Sequence, residues 1–185
     1  MDVATFWDLI DRTREASGGD IRRQAKFMIE ELISLSVEEI LAYELVMDNL
    51  MDSAYDAALW DAASIINCGC SDDGFEDFRA WLIAQGKEVY EKALIDPESL
   101  VDLIEVNERA DDGFILYVFT KAYGHMTGSE IHIKYREQPL LKGEHWDEDV
   151  RNSRFPKLDA KFGNCDQRDS IWFAEEARPP DEYDF

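Results

Sequence analysis

A chain of 185 residues, 45% hydrophobic and 12% aromatic, carries enough apolar material for one folded core. Its net charge of -22 argues against nucleic acid and anionic membranes, which are bound through protein cations that displace counterions; basic proteins, polyamines or metal cations are the compatible partners. No apolar run is long enough to span a bilayer, the opening MDVATFWDLIDRTRE lacks the basic and apolar regions of a leader, and three cysteines make no even disulfide set, so a cytoplasmic, reducing setting is expected.

Phe6, Leu9, Ile10 and Thr13 recur at helical spacing behind Asp2, and the stretch SGGD at 17–20 stops that unit. Asp20 can cap a second helix, with Ile21, Ala25, Met28, Ile29, Leu32 and Ile33 on one face. SVEE at 36–39 has the capping-box form, in which Ser36 and Glu39 satisfy each other's amides. The helix it opens is expected to run to about Tyr55 and to bury Ile40, Leu41, Val46, Leu50 and Met51. AALWDAASIIN at 57–67 is a further helical segment, polar only at Asp61 and Ser64 before its final Asn67.

SDDGFEDFRAWLIAQG at 71–86 reads as a capped helix. Ser71 or Asp72 can serve as N-cap, Asp73 and Glu76 put negative charge in the first turn, and Gly86 suits a left-handed terminus. Phe75, Phe78, Trp81 and Leu82 supply its buried face. KEVYEKALI follows, and Asp96-Pro97 signals another helix start. Beyond Asp111-Asp112, FILYVFTKAYGHMTG favours a helix over a buried strand, with Phe114, Tyr117, Val118 and Ala122 on one side. Ile131, Ile133 and Tyr135 alternate with His132, Lys134 and Arg136, a short strand signal. The expected architecture is therefore mainly α: a compact multi-helix domain over 1–165, with a less regular C-terminal part that admits one short strand or hairpin near 130–136. An acidic, proline-bearing tail at 166–185 is expected to be loosely ordered.

Charge is unevenly placed along the chain. Phe27 to Phe78 holds thirteen Asp or Glu and no Lys, Arg or His, whereas 121–168 is nearly balanced. Within the acidic run, Glu44, Asp48, Asp52 and Asp56 recur every fourth residue. Like charges at that spacing repel by roughly 0.2–0.5 kcal/mol per pair in an isolated helix. Three readings are open: cations of the first two helices (Arg12, Arg14, Arg22, Arg23, Lys26) lie alongside, the stripe is an acidic face that meets a basic partner, or the charges are simply solvated and tolerated.

The stretch INCGCSDDGFEDFRAWLIAQG at 66–86 concentrates chemistry-bearing residues. Cys68 and Cys70 are separated by a single residue, too close for a zinc knuckle, and no His lies nearby. Placing Gly74 at the sixth position of an EF-hand loop leaves Gly69 and Ala80 where the first and last oxygen ligands belong, so that match fails. No metal site is assigned, and no nucleophile motif, phosphate loop or dinucleotide fingerprint occurs. No catalytic residue or cofactor follows. Capping explains most of the acids; Asn67, Asp72, Asp73, Glu76 and Arg79, with Trp60 and Trp81 as walls, remain as candidate binding residues. Arg79, between Phe78 and Trp81 in sequence, is expected to ion-pair with an acid or stack on a ring.

FWDLID at 6–11, the block from Ala54 to Leu100, and GEHWDEDVRNSRFPKLDAKFG at 143–163 resemble the bacterial family known as domain of unknown function 4240. Its pattern usually has glycine where this chain has Cys68, which argues further against a two-cysteine ligand pair. The resemblance implies a coherent bacterial domain and supplies no activity, cofactor or catalytic residue. Two functions are compatible with these residues. One is an acidic interaction module, such as an immunity-type inhibitor or a regulator, that binds a basic protein. The alternative is an enzyme or a small-ligand or cation binder with its pocket around the 67–81 turn.

Overall fold

Short polar side chains set the helix boundaries, each by accepting the otherwise orphaned amides of a first turn. In the computed structural model, which describes residues 1–106, 108–129, 131, 139–165 and 168, Asp2 caps helix α1 (Val3–Ser17) and Asp20 caps α2 (Ile21–Leu32). Ser36 opens α3 (Val37–Ser53) with a complete capping box, and the Ser36 amide and hydroxyl hold the Glu39 carboxyl below its ordinary pKa. Asp56 caps α4 (Ala57–Ile66) and Ser71 caps α5 (Asp72–Ala84). Gly86, at φ 97°, turns the chain into α6 (Lys87–Ile95). There a Cβ would stand 2.6 Å from Asp11 Oδ1, so glycine is required by both conformation and space.

Asp96-Pro97 does open a helix, but a 3-10 one, Pro97–Asp102. A second 3-10 helix, Phe114–Tyr117, runs directly into α7 (Val118–Thr127); α8 (Glu148–Arg154) and α9 (Pro156–Phe162) follow. Among the described residues there is no strand, only an isolated parallel bridge between Asp56 and Lys142. The mainly α architecture expected from the sequence is the one observed. The strand expected near 130–136 lies, apart from Ile131, outside the described residues. Of the expected tail only Arg168 is described, and it is buried.

One apolar cluster runs through the molecule. Phe6 stacks on Tyr43, Trp7 packs on Tyr90, and Phe75 lies between Trp60 and Phe78. The burial expected for α1, and for Phe75, Phe78, Trp81 and Leu82 of α5, is found. Two expectations fail at the edges of helices. Leu41 is 45% exposed, because it sits on the outer side of α3. Tyr117 is 61% exposed while Ile115 and Phe119 are buried. The 3-10 turn has three residues per turn, and it shifts the phase that an unbroken α-helix would have given.

Candidate functional site

Alpha-helices α3 and α5 pack against each other, and the 3-10 helix Phe114–Tyr117 packs on α5. Between them lies a groove of about 340 Å³. Glu44, Asp48 and Asp52 of α3 stand on one wall at one-turn intervals, and Glu76 of α5 adds a fourth carboxylate. Met47, Met51, Tyr55, Leu116, Tyr117 and Pro139 give it an apolar lining, with Arg79 among the walls. The acidic stripe and part of the 66–86 motif, separated in sequence by the whole of α4, thus share one cavity. Asp56 leaves the stripe: its carboxylate accepts the Ala58 and Leu59 amides as the cap of α4.

None of the five cations proposed to lie along the stripe lines this groove. Arg12 pairs with Glu31, Arg14 donates to Gln85, and Arg22 lies 4.5 Å over the Phe114 ring. Arg79 does stack as expected. Its guanidinium carbon is 4.9 Å from the Tyr55 ring centre and 5.1 Å from that of Phe75, while Nη1 donates to the Met51 carbonyl at 2.9 Å and Nε to Phe75 at 3.2 Å. It therefore fastens the C-terminal half of α3 to α5, and holds a buried positive charge behind the carboxylates.

The other residues singled out in the 67–81 turn do not converge. Asn67 is buried and is consumed by Ala110, donating from Nδ2 to its carbonyl and accepting its amide at Oδ1. Asp72 and Asp73 are exposed in the first turn of α5 and do not line the groove. Trp60 donates to the Cys70 carbonyl and stacks on Phe75; Trp81 is packed in the core. Only Glu76 and Arg79 reach the groove.

Three polar arrangements escaped the sequence. Asp61, nearly fully buried in α4, lies 2.9 Å from His145 Nδ1 and accepts the Trp146 amide. Its signal was present, as one of two polar residues in an otherwise apolar helix. A second acidic cavity of about 430 Å³ gathers Asp77, Asp111 and Asp112 beside Arg22 and Tyr117. Burial, together with the neighbouring carboxylates, pushes the Asp112 carboxyl up to about 6 and raises that of Asp77. Third, Cys68 is bonded to Cys165 across 97 positions, leaving Cys70 as the free thiol, which burial pushes up to about 12. The expectation of no disulfide is corrected: α9 packs on α4 and carries Cys165 to the turn that holds Cys68. Among the described residues no group of three or more His, Cys, Asp or Glu is placed to hold a metal ion, and no helix is long and apolar enough to cross a membrane.

The model of a family described as "Protein of unknown function (DUF4240)" matches residues 1–125. The chain belongs to this family. The DUF4240 segment includes every groove residue named above except Pro139. The stretch at 143–163 lies beyond it, together with His145 and Cys165. No curated protein and no solved structure matches the chain.

Proposed function

We propose that this bacterial protein is a cytoplasmic interaction module whose α3–α5 groove receives a lysine- or arginine-bearing segment of a partner protein. The observation that carries the proposal is the lining itself: Glu44, Asp48, Asp52 and Glu76 around Met47, Met51, Tyr55 and Tyr117. Carboxylates attract an ammonium or guanidinium group, and methionine and tyrosine side chains cover the aliphatic stem that carries it. Tyr117, the large exposed aromatic at the rim, has the character of an interface anchor. The base-free run from Phe27 to Phe78 extends the negative field around the groove and would speed encounter with a basic partner. An immunity-type inhibitor or a regulator acts through such a surface.

What favours this reading over a small-ligand or enzymatic one is that Asn67, Trp60 and Trp81 are engaged in packing and hydrogen bonding. The test is affinity capture from the native host, followed by Asp48→Lys and Asp52→Lys together. The captured partner is expected to dissociate on reversal, and its affinity for the wild type to fall as salt rises. A partner held equally well by the reversed protein at low salt refutes the proposal.

A further inference from the structure

The Cys68–Cys165 disulfide stands in an environment suited to opening as well as to bracing. Both cysteines are half-buried, and both line a cavity of about 220 Å³ whose other walls include Ser64, Glu148, Arg151 and Asp159. The disulfide therefore stands at the wall of a cavity rather than sealed in the core. The two sulfurs have unequal surroundings. Arg168 Nη1 lies 3.7 Å from Cys68 Sγ, and the same guanidinium is held by the carbonyls of Ile66, Phe162, Val106 and Glu108. A fixed positive charge at that distance stabilises a thiolate on Cys68. Cys68 also sits at φ 56°, the one non-glycine at positive φ among the described residues, on the turn that ends α4. The Cα–Cα separation of 5.5 Å lies within the ordinary disulfide range.

We propose that Cys68–Cys165 is a thiol–disulfide exchange site that takes a dithiol reductant, with Cys165 as the sulfur attacked and Cys68 as the leaving thiolate beside Arg168. In the first step a thiolate of the reductant bonds to Cys165 Sγ, the Cys68–Cys165 bond breaks, and its electron pair stays on Cys68. In the second step the reductant's other thiolate attacks the mixed disulfide and displaces Cys165 as a thiolate, which takes a proton from water. The reductant leaves as its own disulfide, so two electrons pass to the protein. A thiolate that is better stabilised leaves faster, which fixes the polarity of the first step. The consequence for the fold is local. Reduction removes the covalent tie between Cys165 and the turn that ends α4, and leaves Arg168 held there by its hydrogen bonds to the carbonyls of Ile66, Val106 and Glu108. In a reducing compartment the site would stand open, as two thiols.

The experiment uses the full chain, refolded or purified in oxidised glutathione, then exposed to millimolar dithiothreitol under native conditions. Alkylation with iodoacetamide and peptide mass analysis report each cysteine. The expected result is one Cys68–Cys165 disulfide that opens well before the fold melts. After reduction, Cys68 is expected to alkylate about tenfold faster than Cys165 or Cys70 near pH 6.5. Arg168→Gln should abolish that preference and Arg168→Lys should keep most of it. If the glutamine variant does not fold, the comparison of the three cysteines within the wild-type protein decides. A disulfide that resists dithiothreitol until global unfolding, or equal alkylation of Cys68 and Cys165, overturns the proposal.

Discussion

Asn67→Ala separates a structural role from a binding role at the residue that looked least explained by folding. Its side-chain amide meets Ala110 like one rung of a ladder, at 3.1 Å to the carbonyl and 2.9 Å from the amide. Ala110 is completely buried. Removing the side chain leaves a buried N–H and a buried C=O to be satisfied, each costing roughly 1–3 kcal/mol. A water entering the vacated space offsets part of that, so a loss of about 3 kcal/mol is expected. For a chain of this length that is a fall in Tm of about 6–12 °C. Asn67→Asp should be no better, because its carboxylate keeps the bond from the Ala110 amide but faces the Ala110 carbonyl without a proton to donate. Urea unfolding followed by circular dichroism measures both variants, with an unchanged m-value identifying a change in native stability alone. A loss below about 0.5 kcal/mol for the alanine variant would falsify the structural assignment and return Asn67 to the list of binding candidates.

Three further outcomes follow from the same structure. The Asp112 carboxyl, raised by burial from 3.8 to about 6, opposes folding while it is charged. That penalty is full above pH 6, fades between about 6 and 4, and is absent below, where both folded and unfolded states are protonated. Since Asp112 is only partly buried, the penalty is discounted to about 1 kcal/mol; Asp112→Asn should stabilise by that amount at pH 7 and by much less at pH 4, as read from urea midpoints. Tyr43 is fully buried, and its hydroxyl has no hydrogen-bond partner among the described residues, so Tyr43→Phe should be neutral or stabilising by up to about 1 kcal/mol in the same assay. A Cys165→Ser variant compared with the oxidised wild type loses a crosslink that closes a 97-residue separation. A stability loss of about 3 kcal/mol is expected by calorimetry, and a Tm unchanged under oxidising conditions would show that the crosslink contributes nothing.

What was legible in the sequence was local. Asp2, Asp20, Ser36 and Ser71 could be read as caps because a cap acts on amides two or three residues away. Phe75, Phe78 and Leu82 could be read as a buried face because helical periodicity is a property of neighbours. The groove was half legible. Glu44, Asp48, Asp52, Glu76 and Arg79 were all singled out, yet nothing in their spacing showed that α3 and α5 bring them together. Asp56 misled, since a period of four ran across the end of a helix and joined a cap to a surface stripe. Asp61 with His145, Asn67 with Ala110, and Cys68 with Cys165 and Arg168 join positions 43 to 100 residues apart. Such pairs are set by the packing of whole elements and leave no periodic trace.

Those long-range pairs gather on one helix and the turn that ends it, and the helix's composition explains why. Alpha-helix α4 is apolar almost all the way round, with Ala57, Leu59, Ala62, Ala63, Ile65 and Ile66 all buried. A helix of that kind has no solvent face and must be covered on every side. Helix α5 covers one side, and α8 and α9 cover another. The covering chain is then fastened along α4 at successive turns. Lys142 exchanges backbone hydrogen bonds with Tyr55 and Ala57, His145 and Trp146 engage Asp61, Arg168 donates to the Ile66 carbonyl, and Cys165 bonds to Cys68. Every one of these fasteners on the covering side lies beyond residue 125, outside the segment the family model matches. The groove residues on α3 and α5 lie inside it. The proposed binding surface therefore belongs to the part of the chain shared with the family. The proposed redox-sensitive clasp joins that part, at Cys68, to residues that lie outside the match, at Cys165 and Arg168.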